Sequence, residues 1–261
     1  MSMSSQVHET AVISSDAQIG ANVTIGAYSV IEGPVVIGDN VTIGHHCLVQ
    51  GATTLGNDCQ LFTGAVIGSP PQDKKYHKTD KVYLKIGKNN IFREYVTANP
   101  GTVDGGGTTR IGDNNLFMAC SHIAHDCHIG NDCVLANYVG LSGHVTIEDR
   151  AVIGGLSGVH QFTRIGYLSM IGGCSKVNQD APPYSMIDGN PATLRGLNLI
   201  GLKRANLTSE AMLALRRAYK ILFSSGLARS NAVSQVKEQM GQHLEVLRVL
   251  DFIEISKRGI A

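Results

Sequence analysis

The sequence predicts a mainly β chain: a parallel solenoid of six-residue repeats over residues 1–190, followed by a small all-α domain over residues 191–261. Three observations predict it. An aliphatic residue recurs every six positions, the chain holds 30 glycines and no tryptophan, and the apolar spacing turns helical after Thr208. Many glycines and few large rings suit tight corners between small repeated side chains.

From Val7, Ile13 and Ile19 through to Ile67, eleven aliphatic residues stand in phase without a miss. The phase fails over about 68–85, touches Ile86 and Phe92, and fails again over about 99–109. It returns at Ile111 and Phe117 and holds for twelve positions to Val177. Glycine often follows the aliphatic, as at Gly20, Gly26 and Gly38, and a small or β-branched residue comes four places after it, as at Ala11, Ala17 and Cys47. A period of six fits neither a helix nor an alternating meander; it fits short strands joined by corners, with the large aliphatic inside. Three hexads then close a triangular coil of 18 residues, hydrogen-bonded to the next coil about 4.8 Å away. Each buried aliphatic contributes about 1.5–3 kcal/mol before chain entropy is subtracted. One coil does not stand alone, so stacking supplies the stability.

The two phase breaks predict loops that leave the prism. The first carries Pro70-Pro71-Gln72-Asp73-Lys74-Lys75-Tyr76-His77, the second Gly105-Gly106-Gly107. No strand-to-helix pattern follows the glycine triplet, so it reads as loop and not as a phosphate cradle. Pro182, Pro183 and Pro191 predict a linker. Thr208 as N-cap, Glu210 in the first turn and the apolar run to Phe223 predict a helix that stops at Gly226, with two more over about 231–240 and 243–257.

Residues 191–261 hold 11 Lys/Arg against 5 Asp/Glu, which suits an acidic protein partner or a phosphate-bearing ligand. Without a dense basic run or interleaved aromatics, nucleic acid is not expected. Met1 to Thr10 lacks the pattern of a secretory signal and no stretch of about 18 apolar residues occurs, so a cytoplasmic chain with no transmembrane segment is expected. The six cysteines form no CxxC and read as reduced, mostly buried thiols.

Five of the ten histidines fall between 122 and 160. The 18-residue coil puts Gly143 one rung from His125 in the same column, His144 one rung from Asp126, and His160 one rung from Ser142. His128 lies one face further round. An imidazole suits proton transfer near neutral pH, Asp126 can orient it, and a backbone N–H at Gly143 offers an oxyanion donor. That set suits acyl transfer to a hydroxyl with no metal. Zinc held by the histidines, as in a carbonic-anhydrase-like hydrolyase on such a solenoid, is the alternative from another class.

The segments Ser121-His122-Ile123-Ala124-His125-Asp126-Cys127, Gly140-Leu141-Ser142-Gly143-His144, Gly158-Val159-His160-Gln161-Phe162, Gly172-Gly173-Cys174-Ser175 and Gly201-Leu202-Lys203-Arg204 resemble the acyl-[acyl carrier protein]–UDP-N-acetylglucosamine O-acyltransferases of lipid A synthesis. The resemblance extends to Gln72-Asp73-x-Lys75-Tyr76 and to the helical tail, and it implies a left-handed parallel β-helix. It implies that His125 is the general base on the sugar 3-hydroxyl, Asp126 its partner, and the Gly143 N–H the oxyanion donor. It implies that Asp73, Lys75, His122, His144, His160, Gln161, Asn198 and Arg204 line the substrate cleft, and that Gly173, without a side chain, leaves room for a longer acyl chain. It further implies homotrimers with clefts between subunits, and no resident cofactor, since 4'-phosphopantetheine arrives on the acyl carrier protein. Asn99-Pro100-Gly101-Thr102 stands where many members read His-Arg-Gly-Thr, and Pro191, Ile200 and Ala205 replace a common His, Glu and Arg. These departures leave an alternative acceptor open, a 3-amino UDP-hexosamine acylated on nitrogen.

Overall fold

A hexad with one inward aliphatic yields a two-residue strand and a corner, and the computed structural model, which describes residues 5–261, is built of such units. They stack into three sheets of 11, 9 and 8 strands, parallel throughout except for one terminal hairpin. Register follows the period: His122 pairs with Gly140, and Gly140 with Gly158, each 18 residues on. Across the second insertion the step lengthens to 25, with Ala98 beside Ile123. The inward column of Ile25, Ile31, Ile37 and their successors is buried to 4% exposure or less. Phe92 and Phe117 stack at 4.8 Å in the rungs beside the insertions.

The corners need a left-handed backbone, which Asn and Asp tolerate and β-branched residues resist. Each corner column has its own chemistry. The first is polar, with Asn22, Asn40, Asp58, Asn89 and Asn114, whose amides pair from rung to rung. The second is largely aromatic or apolar, with Tyr28, Tyr95, Tyr138 and Leu156, each at least 60% exposed. The third carries Asp126, His144 and Phe162. Both insertions leave from this third corner, between Val66–Ile67 and Tyr83–Ile86, and between Thr97–Ala98 and Thr108–Ile111.

Cys47, Cys59, Cys127 and Cys133 are buried, unpaired thiols. Burial pushes Cys59 to about 11 and both Cys127 and Cys133 to about 12, so they pack as small apolar groups.

The proline-marked stretch is not a linker. Ser185–Gly189 and Ala192–Leu197 form an antiparallel hairpin that extends the eleven-stranded sheet, so the boundary expected at 190/191 falls on its turn. Prolines occupy the run into the hairpin and its turn, where no ladder N–H is required. Four helices follow: α1 (Leu199–Arg204), α2 (Ser209–Ser224), α3 (Arg229–Met240) and α4 (Leu244–Glu254). Thr208 caps α2 as expected, its hydroxyl accepting from the Ala211 N–H. Leu202, Leu215, Val236, Val246 and Val249 form a second core that reaches Leu168 and Tyr184 of the solenoid. The Tyr219 hydroxyl donates to the Pro183 carbonyl, and Arg164 lies 4.2 Å over the Phe252 ring. No helix among the described residues is long and apolar enough to cross a membrane.

Candidate active site

The third corner brings an imidazole, a buried carboxylate and two loops together. His125 Nδ1 lies 2.8 Å from Asp126 Oδ2, in a side chain only 1% exposed. A carboxylate only accepts, so Nδ1 carries a proton, and in the neutral ring Nε2 presents its lone pair. Asp73, from the first insertion, places Oδ2 4.0 Å from that Nε2. One rung on, a Cβ at Gly143 would stand 2.5 Å from Cε1 and 2.7 Å from Nε2 of His125. The glycine column therefore lets the backbone meet the imidazole with nothing between them.

Neighbouring rings complete the wall. His144 meets His125 edge-on at 5.2 Å between centroids, with its Nε2 3.8 Å from Asp126, and its other side stacks on Phe162 at 4.4 Å. His122 is half-buried on the adjoining sheet, with Nδ1 2.6 Å from the Thr97 hydroxyl. Above the corner, Lys75 and Asp104 bridge the two insertions at 3.7 Å, both well exposed. Beneath them Asp73, Lys75, Tyr76, Thr102 and Asp104 line a cavity of about 320 Å³. The arrangement can accept a proton at Nε2, hold a polar substrate under the loops and donate N–H bonds to a developing oxyanion.

A family model described as UDP N-acetylglucosamine O-acyltransferase, domain 2, matches residues 180–261, and bacterial transferase hexapeptide repeats match residues 16–51 and 108–143. An acyl-[acyl-carrier-protein]–UDP-N-acetylglucosamine O-acyltransferase from Aliarcobacter butzleri is 46% identical over 97% of both chains. The chain belongs to the UDP-N-acetylglucosamine O-acyltransferase family. Two solved UDP-N-acetylglucosamine acyltransferases share its architecture. That of Francisella novicida superposes with a TM-score of 0.95 at 38% identity, covering 98% of this chain and 93% of its own. That of Campylobacter jejuni gives 0.92 at 40% identity, covering 98% of each.

Within this acyltransferase chain the structure gathers some of the expected residues and separates others. His125, Asp126, Gly143, His144 and Asp73 meet; His122 lies close enough to His125 for their charges to interact. His160 is exposed on the face shared with Ser142, its Nδ1 3.2 Å from the Gln161 carbonyl, and Gln161 continues the column of His125 and Gly143. Gly173 sits beside Gly155, next to the aromatic corner. Asn198 caps α1 through its Oδ1 on the Gly201 N–H and donates Nδ2 to the Leu168 carbonyl, while Arg204 is exposed at the end of α1. His128 points outward from the third sheet, as its position in the hexad implies.

Gly101, Thr102 and Gly105 stand in segments named above and Thr109 in none, but neither motif nor phase places any of them at Asp126, where the structure puts all four. The Asp126 N–H donates to Thr109 Oγ1 at 2.8 Å. Phe162 was legible as the residue one coil beyond His144, although no chemistry pointed to it.

Burial lowers the pKa of both His122 and His144 below the ordinary 6.5, with the His125 charge adding to the effect and the Asp126 carboxylate opposing it at His144. A ring held neutral in the fold contributes stability above about pH 6.5, and this is lost as the pH falls through the native value. The denaturation midpoint is therefore expected to drop between pH 7.5 and 5. His122→Gln should flatten that slope, and an unchanged slope would refute the assignment.

Proposed function

We propose that this chain transfers a 3-hydroxyacyl group from acyl carrier protein to the 3-hydroxyl of UDP-N-acetylglucosamine, the first step of lipid A biosynthesis, with His125 as general base. The observation that carries the reading is the His125 ring, pinned by Asp126 with Nε2 open between Asp73 and the Gly143 backbone. Nε2 takes the hydroxyl proton as the oxygen attacks the thioester carbonyl. The tetrahedral oxyanion accepts the Gly143 N–H, and its collapse breaks the C–S bond. The imidazolium then returns its proton to the departing phosphopantetheine thiolate. The acyl group arrives activated on the carrier's arm, so the chain needs no resident cofactor.

The relatives' printed names supply carrier protein and sugar nucleotide as partners. Exposed Lys203, Arg204, Arg216, Arg217 and Lys220 on α1 and α2 suit an acidic carrier. A homotrimer accounts for the exposed aromatic corner.

The donor atoms of His125, Asp126 and His144 come within 4.8 Å of one another, which gives the zinc reading a geometric basis. Thr102 and His125 already occupy the Asp126 oxygens, and a metal would have to displace them. Incubation with 3-hydroxyacyl carrier thioesters and UDP-N-acetylglucosamine, followed by mass spectrometry and linkage analysis, should give a 3-O-acyl product. No product, with stoichiometric zinc in the purified protein, would favour the metal reading.

A further inference from the structure

Ala98 and Ile111 stand thirteen positions apart where an uninterrupted hexad would make it six, and the added residues close around one carboxylate. Thr102 donates its N–H to Asp126 Oδ1 at 2.9 Å and its hydroxyl to Oδ2 at 2.6 Å. The same hydroxyl accepts the Gly105 N–H at 3.2 Å, which closes a short turn over Val103–Gly105. The wrapping is tight: a Cβ at Gly105 would fall 2.1 Å from Asp126 Cγ, and one at Gly101 2.8 Å from Oδ1.

The other corners show what this replaces. In the polar column a side chain from the adjacent rung meets Asn22, Asn40, Asp58, Asn89 and Asn114, as Asn40 does Asp58. At Asp126 the preceding rung is interrupted, and the insertion supplies a bidentate partner in its place. His144 offers its own Nε2 3.8 Å from the same Asp126 Oδ2 that bonds His125 Nδ1. A carboxylate on a left-handed backbone, φ 59°, with two imidazoles in reach needs a third contact to keep it on one of them.

We propose that Thr102 is a positioning residue that fixes the Asp126 carboxylate on His125 Nδ1 and away from His144, so that His125 Nε2 faces the acceptor hydroxyl. This rests on the general-base reading above. An outward turn of the carboxylate shifts the imidazole by a fraction of its width, and misplacement of about 1 Å at a reacting group costs on the order of 10²-fold.

Thr102→Val keeps the shape and the N–H and removes the hydroxyl. It is expected to lower kcat about 10–100-fold with both KM values within about twofold, and Thr102→Ser should restore kcat to within about threefold. In an Asp126→Ala background the same substitution should change kcat by less than about twofold, because its effect passes through the carboxylate. If Thr102→Val fails to fold, Thr102→Ala with its own Asp126→Ala cycle carries the same test. Unchanged kcat in Thr102→Val, a loss that Ser does not rescue, or a loss that persists undiminished without Asp126 would overturn the inference. If His125→Ala itself retains full activity, the general-base reading falls first. If His125→Ala is inactive and the Thr102 cycle is additive, only the positioning role falls.

Discussion

Alanine in place of His125 is expected to lower kcat by about 10²–10⁴-fold, the usual contribution of a positioned general base. The ring is tied to the site and not to the core. Its partners are Asp126, the Gly143 backbone and the edge of His144, and its side chain is 15% exposed. Removing it opens space at the corner without unpacking the aliphatic column, so the thermal midpoint should stay within a few degrees of the parent. Asp73 can accept a proton, and it stands 4.0 Å from the place the imidazole nitrogen leaves. It can contribute only residual turnover. Steady-state kinetics at saturating carrier thioester, with KM for the sugar nucleotide measured alongside, checks the loss; a drop confined to KM would assign His125 to binding alone.

Gly143→Ala is the second large effect, expected at about 10²-fold in kcat, the scale of a reacting group misplaced by about 1 Å. The added methyl would lie 2.5, 2.7 and 3.1 Å from Cε1, Nε2 and Nδ1 of His125. Asp126 pins that ring from behind, so it has no free direction of retreat; either the Nδ1 bond breaks or the methyl fills the approach to Nε2. Gly158→Ala is the control, since a Cβ there meets nothing within 4 Å, and it should leave kcat within about twofold. Equal losses in the two variants would show that an added methyl on these rungs acts through folding and not through His125.

Much of this corner was legible without coordinates because stacking at a constant period turns numbering into position. His125 beside Gly143 and Asp126 beside His144 follow from a coil of 18 residues, and the registers bear out that coil. Asp73 and Thr102 lie inside the phase breaks, where counting assigns no rung. That both breaks leave from the Asp126 corner follows from which strands flank them, and a count of aliphatics alone does not say which corner that is. The hairpin from Ser185 to Leu197 was hidden by prolines that suit its turn as well as they suit a linker. Helix α1 is six residues long, too short for a period to register, and its start depends on the Asn198 cap. Gly173, Asn198 and Arg204 belong to the resemblance alone, since one chain does not bring them to His125.

The most direct measurement compares two acceptors in one variant. A hydroxyl must lose its proton as it attacks, whereas a neutral amine attacks with a lone pair it already has and gives up its proton afterwards. Initial rates with UDP-N-acetylglucosamine and with its 3-amino analogue should therefore diverge when His125 becomes alanine. The hydroxyl acceptor should lose about 10²–10⁴-fold, and the amine at least tenfold less than that. Equal losses for both acceptors would contradict a general base at His125 and leave the imidazole a role in positioning only.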